Sequence, residues 1–574
     1  MSTTQNPTAI PGPFGLPRIT TLLASLLVAL GAGTNYVYSG NFRQIGGEIS
    51  LCLGFAAYAP QMGHRLKLSH TQLNLIALGG NVGVYSTGPV WGKIADSRGP
   101  RILMVASFTL LLLGYSGIRH VYDAGLKDDQ STITTFTLCM LALFGFMTGA
   151  GGNSALSGAV NSTAKSFPER LRASTTGIVL SGFGLSAFLF SSIAHFAFPG
   201  DTSSFLLVLS LGTALPEVVG YFFIRPVPLP ASEQRYAPEG DAEAAPYHEN
   251  SSRTRLLVSE DEGHAIFHHA SPTTPAKDYI PGVANALELS PSRSMSPPQI
   301  NTPRHRSRNS GRSFSLAGRS FMHEKPPNIY GRKLWCTLEF WLMCSILSLL
   351  SGTGLMYINN VGSMSQALFA HNNPTYNEDD AIPWQAAQVS AISVMNCLGR
   401  IVIGLISDFG KHHYAMPRCY NLVLVSFLVL LSQILASQID DVRHLWQAST
   451  LLGLAYGSIF GIYPTLCIEW FGMPHFSENW GYISLAPMAG GNLFSLAFGN
   501  NLDAHEPKDT KSEATVMRGD RQCLEGKACY VDTLYLTIAG CFLALGLSVY
   551  ACWRDRQKHT YDSLDWDDEE EEED

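Results

Sequence analysis

Apolar runs about as long as a membrane-spanning helix constrain this 574-residue chain more than any other feature. A helix needs roughly 20 mostly apolar residues to cross a bilayer. The runs cover about 19–39, 72–92, 102–119, 133–160, 172–198 and 203–224, then 335–358, 384–407, 419–438, 445–468, 480–499 and 531–552. Backbone groups in lipid must bond within their own segment, and the runs lack the alternation of a membrane β-barrel. The sequence therefore predicts an all-α membrane protein with twelve transmembrane helices in two six-helix bundles.

A long polar segment separates the two sets of runs. It is rich in Ser, Pro, Arg, His and Asn, so it cannot bury a core of its own. The predicted organisation is a cytosolic N-terminal tail (1–18), an N-terminal bundle (19–224), a disordered cytosolic linker (225–333), a C-terminal bundle (334–552) and an acidic cytosolic tail (553–574).

The linker permits two interpretations. Ser271, Thr274, Ser290, Ser296 and Thr302 each precede proline, and four arginines surround Ser307 and Ser310. These features are typical of a regulatory segment that kinases phosphorylate near an anionic membrane surface. The alternative is a passive tether between the bundles.

The positive charges of the short loops predict the orientation, because cytosolic loops carry an excess of Lys and Arg. One side of the predicted membrane carries Lys93, Arg98, Arg101, Lys165, Arg170, Arg172, Lys411 and Arg418. The loop between runs seven and eight instead carries Glu378, Asp379 and Asp380. Both termini and the linker are therefore predicted to be cytosolic. The longer loop between runs eleven and twelve disagrees, since it carries Lys508, Lys511, Arg518, Arg521 and Lys527.

The turn after the second run contains a glycine, aspartate and arginine pattern. Gly88 and Gly92 lie on one helix face and allow a neighbouring helix to approach closely. Asp96 follows one turn later and suits the exposed N–H groups at the start of another helix. Gly99 separates Arg98 from Arg101, two cations that favour the cytosolic side. Gly404 and Asp408 repeat the pattern in the second half.

This pattern resembles the loop between helices two and three of the major facilitator superfamily, the twelve-helix secondary transporters. A generic polar turn is the alternative. Other repeats agree with the resemblance: residues 167–170 are answered by 476–479, and Gly33-Thr34 by Gly352-Thr353. The superfamily's plan of two six-helix repeats implies a substrate site between the halves near the middle of the membrane.

A narrower resemblance is to the nodulin-like branch, which includes the fungal monocarboxylate-transporter homologues. It rests on residues 33–36, 71–74, 80–83 and 352–360. This resemblance implies a vacuolar-membrane location, with the plasma membrane as the alternative. Tyr561-Asp562-Ser563-Leu564 is a pattern that sorting adaptors read, and it favours the vacuole weakly.

The first run departs from this branch between Gly40 and Ala56. Joining Ser39 to Ala57 would restore one unbroken helix. We therefore hypothesise either a true insertion or an unspliced intron in the gene sequence.

Arg400 is the sharpest functional candidate, because an ionised side chain inside a membrane run is costly. Its guanidinium can grip a carboxylate through two hydrogen bonds. The segment resembles helix eight of monocarboxylate transporters, in which an arginine binds the anionic substrate and an aspartate one turn earlier joins in proton coupling. Asn396 occupies that earlier position and cannot ionise. The alternative is that Arg400 pairs with Asp408 or a helix end as part of the repeated turn motif.

Further polar residues within the runs are candidates for proton coupling or substrate binding. His195 and Glu217 are titratable and could relay a proton. The alternatives are that His195 is hydrogen-bonded near the membrane edge and that Glu217 lies at a helix end. Uncharged side chains form a candidate cavity lining, with interhelical hydrogen bonding as the alternative. That set comprises Asn35, Tyr36, Tyr38, Asn153, Tyr357, Asn359, Asn360 and Asn492. Cys523 and Cys529 flank a loop facing away from the cytosol, where either a disulfide or two free thiols would be compatible.

The sequence lacks a Walker A loop, a His-Glu-x-x-His motif and a Gly-x-Ser-x-Gly motif. We expect no enzyme activity, cofactor, metal or nucleic acid. The predicted function is alternating-access transport of a small organic solute, such as a monocarboxylate. The alternative is a transporter-like sensor that signals through the linker. The expected partners are the solute and the bilayer, with kinases and sorting adaptors on the cytosolic segments.

Overall fold

The computed structural model describes residues 14–35, 59–68, 70–126, 133–198, 201–229, 327–371, 378–505, 523 and 525–573. All of its regular elements over these ranges are helical. The α-helices of the first half are α1 Leu16–Ala32, α2 Ala59–Leu66, α3 His70–Ser86, α4 Gly88–Arg98, α5 Pro100–Ala124, α6 Thr135–Ser166, α7 Glu169–Ala197 and α8 Thr202–Phe223. Those of the second half are α9 Arg332–Trp335, α10 Leu338–His371, α11 Glu378–Tyr414, α12 Cys419–Gln438, α13 Leu445–Phe471, α14 Phe476–Ile483, α15 Ala486–Ala504 and α16 Val531–Glu573.

The twelve predicted runs all correspond to helices. Among the described residues, nine helices are long and apolar enough to cross a membrane, and α1 is a shorter apolar helix of 17 residues. The second and eleventh runs are each broken into two helices, α3 with α4 and α14 with α15. Pro89 and Pro487 lie directly after these breaks, where a residue without a backbone N–H is tolerated. The predicted all-α fold is therefore confirmed, with two interruptions that the run lengths alone do not show.

Small residues set the packing within each half. A Cβ atom on Gly33 would overlap the carbonyl oxygen of Phe183 in α7. A Cβ atom on Gly352, its counterpart in the sequence repeat, would lie 2.5 Å from the carbonyl carbon of Gly490 in α15. In each half, the first helical run therefore packs through a glycine on the backbone of the fifth run. In a membrane, such close backbone packing takes the place of a hydrophobic driving force.

Three predicted features lie outside the described residues. They are the segment from Gly40 to Ala56, the body of the linker at 230–326 and the side chains of the acidic tail beyond residue 558.

Candidate functional site

Two pairs of helices join the halves of the molecule on one side. The first pair is α4 with α14. A Cβ atom on Gly92 would overlap the carbonyl oxygen of Ser477, and one on Gly481 would overlap that of Gly88. The glycines that the sequence places on one face of α4 therefore let α14 rest directly on its backbone.

Asp96 fixes this first pair by hydrogen bonds to both halves. One carboxylate oxygen accepts the backbone N–H of Glu478, 2.9 Å away in the first turn of α14. The other accepts the amide of Asn161 at 2.6 Å and the ammonium of Lys165 at 3.0 Å, both in α6. Unpaired N–H groups and the dipole make a helix start a favourable place for a carboxylate. The Asn161 amide also bonds to the Ser477 hydroxyl. We call this group of contacts the Asp96 lock.

The second pair, α7 with α11, repeats the arrangement with the halves exchanged. A Cβ atom on Gly404 would lie 2.6 Å from the carbonyl oxygen of Ala173. Asp408 accepts the backbone N–H and the hydroxyl of Ser174, each at 2.7 Å. Its other oxygen is 2.8 Å from Arg418, whose side chain is 3% exposed. We call these contacts the Asp408 lock.

Further ion pairs extend the Asp408 lock across the two halves. The Lys411 ammonium lies 2.6 Å from a carboxylate oxygen of Glu169 in α7 and also pairs with Glu469 in α13. The Arg418 guanidinium donates to the backbone carbonyl of Glu169 at 2.9 Å. Charges from both bundles therefore interlock on the side where the short cationic loops lie.

The remaining members of the glycine, aspartate and arginine pattern lie at the rim of this side. Arg98 and Arg101 are exposed. Gly99 between them has φ +78°, a left-handed conformation that favours glycine and lets α4 turn directly into α5.

Arg400 lies two turns before Asp408 on α11, and its side chain reaches across the same interface between α11 and α7. Its guanidinium donates to the carbonyl oxygen of Leu180 in α7 at 2.6 Å and to Asn396 in α11 at 3.3 Å. The rings of Phe183 and Phe460 lie on it at 5.9 Å and 5.6 Å. Asp408, the partner that the alternative assigns to Arg400, pairs with Arg418 at 2.8 Å.

Gly184 leaves room beside this guanidinium, since a Cβ atom there would lie 3.4 Å from its central carbon. Arg400 is 4% exposed and Asn396 5%. The arginine is thus a buried cation held between one aromatic ring of each half.

The uncharged candidates divide by their surroundings. Tyr357 is fully buried and bonds to Ser449 of α13 at 3.1 Å, and Asn360 donates to the Met356 carbonyl of its own helix. Asn153 and Asn359 are partly exposed, and Asn492 is exposed. The side chain of Asn35 lies outside the described residues, as do Tyr36 and Tyr38.

The two titratable candidates lie in α7 and α8. The His195 side chain lies outside the described residues. Glu217 is 1% exposed, one turn from Gly220, which packs on Val28 of α1 and Met104 of α5. Its carboxyl group is therefore buried inside the first half, whereas Arg400 lies between the halves.

Cys523 and Cys529 form a disulfide. Lys527 within this loop pairs with Asp440 at 2.7 Å, so the disulfide loop lies near the start of α13. Among the described residues, no three His, Cys, Asp or Glu side chains form a group that could hold a metal ion.

The residues that complete the locks were not singled out by the sequence. Asn161 and Ser174 are buried polar residues that contact an aspartate from a distant part of the chain, and the buried Ser477 bonds to Asn161. The available signal was the spacing of Asn161 and Lys165, which puts two donors on one face at the end of α6.

Comparison with known proteins gives the family. Residues 21–495 match the model of the Major Facilitator Superfamily. An uncharacterized membrane protein of Saccharomyces cerevisiae is 22% identical over 92% of this chain and 94% of its own length. A protein of Gibberella zeae named Probable transporter MCH1 is 23% identical over 88% of this chain and 86% of its own. Its namesake in Wickerhamomyces anomalus is 25% identical over 78% and 76%.

Solved structures show the same fold. The crystal structure of a bacterial homologue of the iron transporter ferroportin, in an outward-facing state with soaked iron, superposes with a TM-score of 0.52. It covers 93% of this chain and 98% of the bacterial chain at 10% identity, a level at which the likeness concerns the fold alone. The match over residues 21–495 and the transporter-named relatives indicate a multi-pass membrane transporter rather than an enzyme. The chain belongs to the Major Facilitator Superfamily.

Proposed function

We propose that the protein is a secondary or facilitative transporter that moves a small organic anion, such as a monocarboxylate, by alternating access. The observation that carries the proposal is a buried arginine between the two halves, with both halves locked together on one side of it. Transporters of this plan bind their solute between the halves and rock about that site.

Arg400 supplies the anion-binding chemistry. A guanidinium stays ionised and presents several donors in one plane, so it can hold a carboxylate through two bonds. In this conformation one donor bonds to the Leu180 carbonyl of the opposite half. A bound carboxylate would take over such a donor, and the Phe183 and Phe460 rings would contact the apolar part of the solute. Anion binding would thereby weaken a bond between the halves.

Asn396 bears on how transport is driven. It accepts from Arg400 where the related monocarboxylate transporters, by resemblance, carry an aspartate that takes part in proton coupling. An amide carries no titratable proton. We therefore propose that any proton coupling uses another group, with His195 and Glu217 as the candidates.

The Asp96 and Asp408 locks form the gate of the proposed cycle. Each aspartate joins its own half to a helix of the other half. Their positions beside the cationic loops support a gate on the cytosolic side. Alternating access then requires both locks to release before the site opens to the cytosol.

We propose the vacuolar membrane as the location and the nodulin-like branch as the subgroup. Support comes from the motifs at 33–36 and 352–360 and from fungal relatives named as transporters. Imaging of the tagged protein tests the location. A plasma-membrane signal would contradict it.

Transport assays on intact vacuoles test the function. Metabolites are first compared between vacuoles with and without the protein, and uptake of the solute that changes is then measured. Arg400→Ala and Arg400→Lys should each abolish uptake, because lysine cannot reproduce the two-bond grip. Arg119→Lys is the control, since Arg119 is an arginine of α5 that bonds to Ser203 and Asp123 within the first half. Unchanged uptake in the Arg400 variants would overturn the proposed role.

A further inference from the structure

The residues that lead into the second half, 327–330, lie along the start of α14. We call them the strap. The Ile329 N–H donates to the Phe471 carbonyl at the end of α13, 3.0 Å away. The Ile329 carbonyl accepts the side-chain amide of Asn479 at 2.8 Å. The strap therefore contacts the end of one helix and the first turn of the next.

Side chains reinforce the same contact. Tyr330 stacks on His475 with ring centroids 3.6 Å apart and planes 9° apart. His475 also lies 3.1 Å from the side-chain oxygen of Asn328. Gly472, with φ +97°, lets the chain pass, because a Cβ atom there would overlap the carbonyl oxygen of Pro327.

The strap holds α14 on both sides of the residues that form the Asp96 lock. His475 directly precedes α14, and Asn479 is its fourth residue. Ser477 and Glu478, which bond to Asn161 and Asp96, lie between these two anchors. The N–H that Asp96 accepts thus belongs to a backbone segment fastened at both ends.

The shape of α14 explains why it would need such fastening. It has only eight residues, and breaks separate it from α13 and from α15. A helix this short is not fixed in direction by its neighbours along the chain, so side contacts must set its position.

We propose that the strap is a positioning element for the Asp96 lock: it holds α14 so that the Glu478 N–H meets the Asp96 carboxylate. The proposal rests on the gate described under the proposed function. It assigns to residues 327–330 an influence on which side of the transporter is open. They exert it through α14, which they contact at His475 and Asn479.

The other end of the linker is fastened to the opposite side of the same lock. The Val227 N–H donates to the Ser166 hydroxyl at 3.0 Å, and Arg18 donates to the Pro228 carbonyl at 3.1 Å. Ser166 ends α6, the helix that supplies Asn161 and Lys165 to Asp96. The segment 230–326 therefore connects two fastened ends, one on each partner of the lock.

A thiol at position 484 reports on the gate. The Ser484 hydroxyl is partly buried and lies against α4, since a Cβ atom added to Gly88 would be 2.9 Å from it. Separation of α4 from α14 would therefore expose it further. Ser484→Cys is made in a background in which serine replaces Cys52 and the four described free cysteines that are not buried, namely Cys139, Cys336, Cys344 and Cys397. The rate of its reaction with a membrane-impermeant maleimide is measured on sealed membranes whose cytosolic face points outward.

Gly472→Ala displaces the strap and has a matched control in Gly125→Ala. Both glycines have positive φ, but a Cβ atom on Gly125, which follows α5, meets nothing within 4 Å. Losing contacts comparable to one or two hydrogen bonds should raise the labelling rate about fivefold in Gly472→Ala. Gly125→Ala should leave the rate unchanged. Equal rates in both variants would overturn the proposal.

Two further variants keep the test decisive. If Gly472→Ala does not fold, Tyr330→Ala should raise the rate and Tyr330→Phe, which keeps the ring on His475, should restore it. If the strap only stabilised the fold, these variants would lower the melting temperature but would label Ser484→Cys as slowly as the protein with an intact strap. Asp96→Asn separates the gate hypothesis from the strap hypothesis. If Asp96→Asn does not raise the labelling rate, the proposed gate itself is wrong. If Asp96→Asn raises the rate and Gly472→Ala does not, only the role of the strap is refuted.

Discussion

The buried charge of Asp408 should contribute strongly to the stability of the fold. It is 5% exposed and faces Arg418, which is 3% exposed. Asp408→Asn leaves a buried guanidinium without its nearest carboxylate, a change that typically costs about 3–5 kcal/mol. We expect a clear fall in melting temperature in detergent. Asp440→Asn is the control, because that side chain is 73% exposed and such pairs contribute under about 1 kcal/mol. Similar shifts in both variants would contradict the importance of the Asp408 lock.

Gly92 tests the close contact between α4 and α14. Gly92→Ala places a methyl group on the Ser477 carbonyl oxygen, so the helices must separate and Asp96 loses its bond to Glu478. We expect faster labelling of Ser484→Cys from the cytosolic face. Gly410→Ala on α11, where a Cβ atom meets nothing within 4 Å, should have no effect. Slow labelling in both variants would show that the contact tolerates a side chain.

At the scale of helices, Tyr357 distinguishes cavity lining from interhelical bonding. Its hydroxyl bonds to Ser449 and joins α10 to α13. Tyr357→Phe should therefore lower the melting temperature slightly, by a loss of about 1 kcal/mol. Solute uptake should stay unchanged. Reduced uptake at an unchanged melting temperature would return Tyr357 to the solute site.

The helices were predictable from the sequence because lipid imposes a length on each apolar run. The breaks at Thr87 and at 484–485 were not, because the runs stay apolar across them and only the prolines that follow mark the change of direction. Asp96 and Asp408 were predictable as acceptors for helix starts. Their partners were not, since Asn161 and Ser174 lie 65 and 234 residues away along the chain. The spacing of Asn161 and Lys165 marks two donors on one face of α6, but a single sequence does not show which distant aspartate they meet.

At the scale of the whole molecule, both locks place the charged contacts between the halves on one side. An aspartate of each half accepts a backbone N–H from the other half, as expected if the two halves are repeats of one plan. Arg400 lies between the same two helices, α7 and α11, that form the Asp408 lock. The proposed solute binding at Arg400 and the proposed release of the Asp408 lock would therefore act on one shared helix pair.

The orientation of the whole chain can be decided by labelling single cysteines. His412, in the last turn of α11, and Thr135, the first residue of α6, are exposed residues at opposite ends of the bundles. The short cationic loops predict that His412→Cys reacts with an impermeant maleimide only from the cytosol, and Thr135→Cys only from the opposite side. The lysines and arginines of 508–527 would predict the reverse, but long loops cross membranes largely regardless of charge. Labelling of Thr135→Cys from the cytosol would therefore invert the orientation and move both locks to the other face of the membrane.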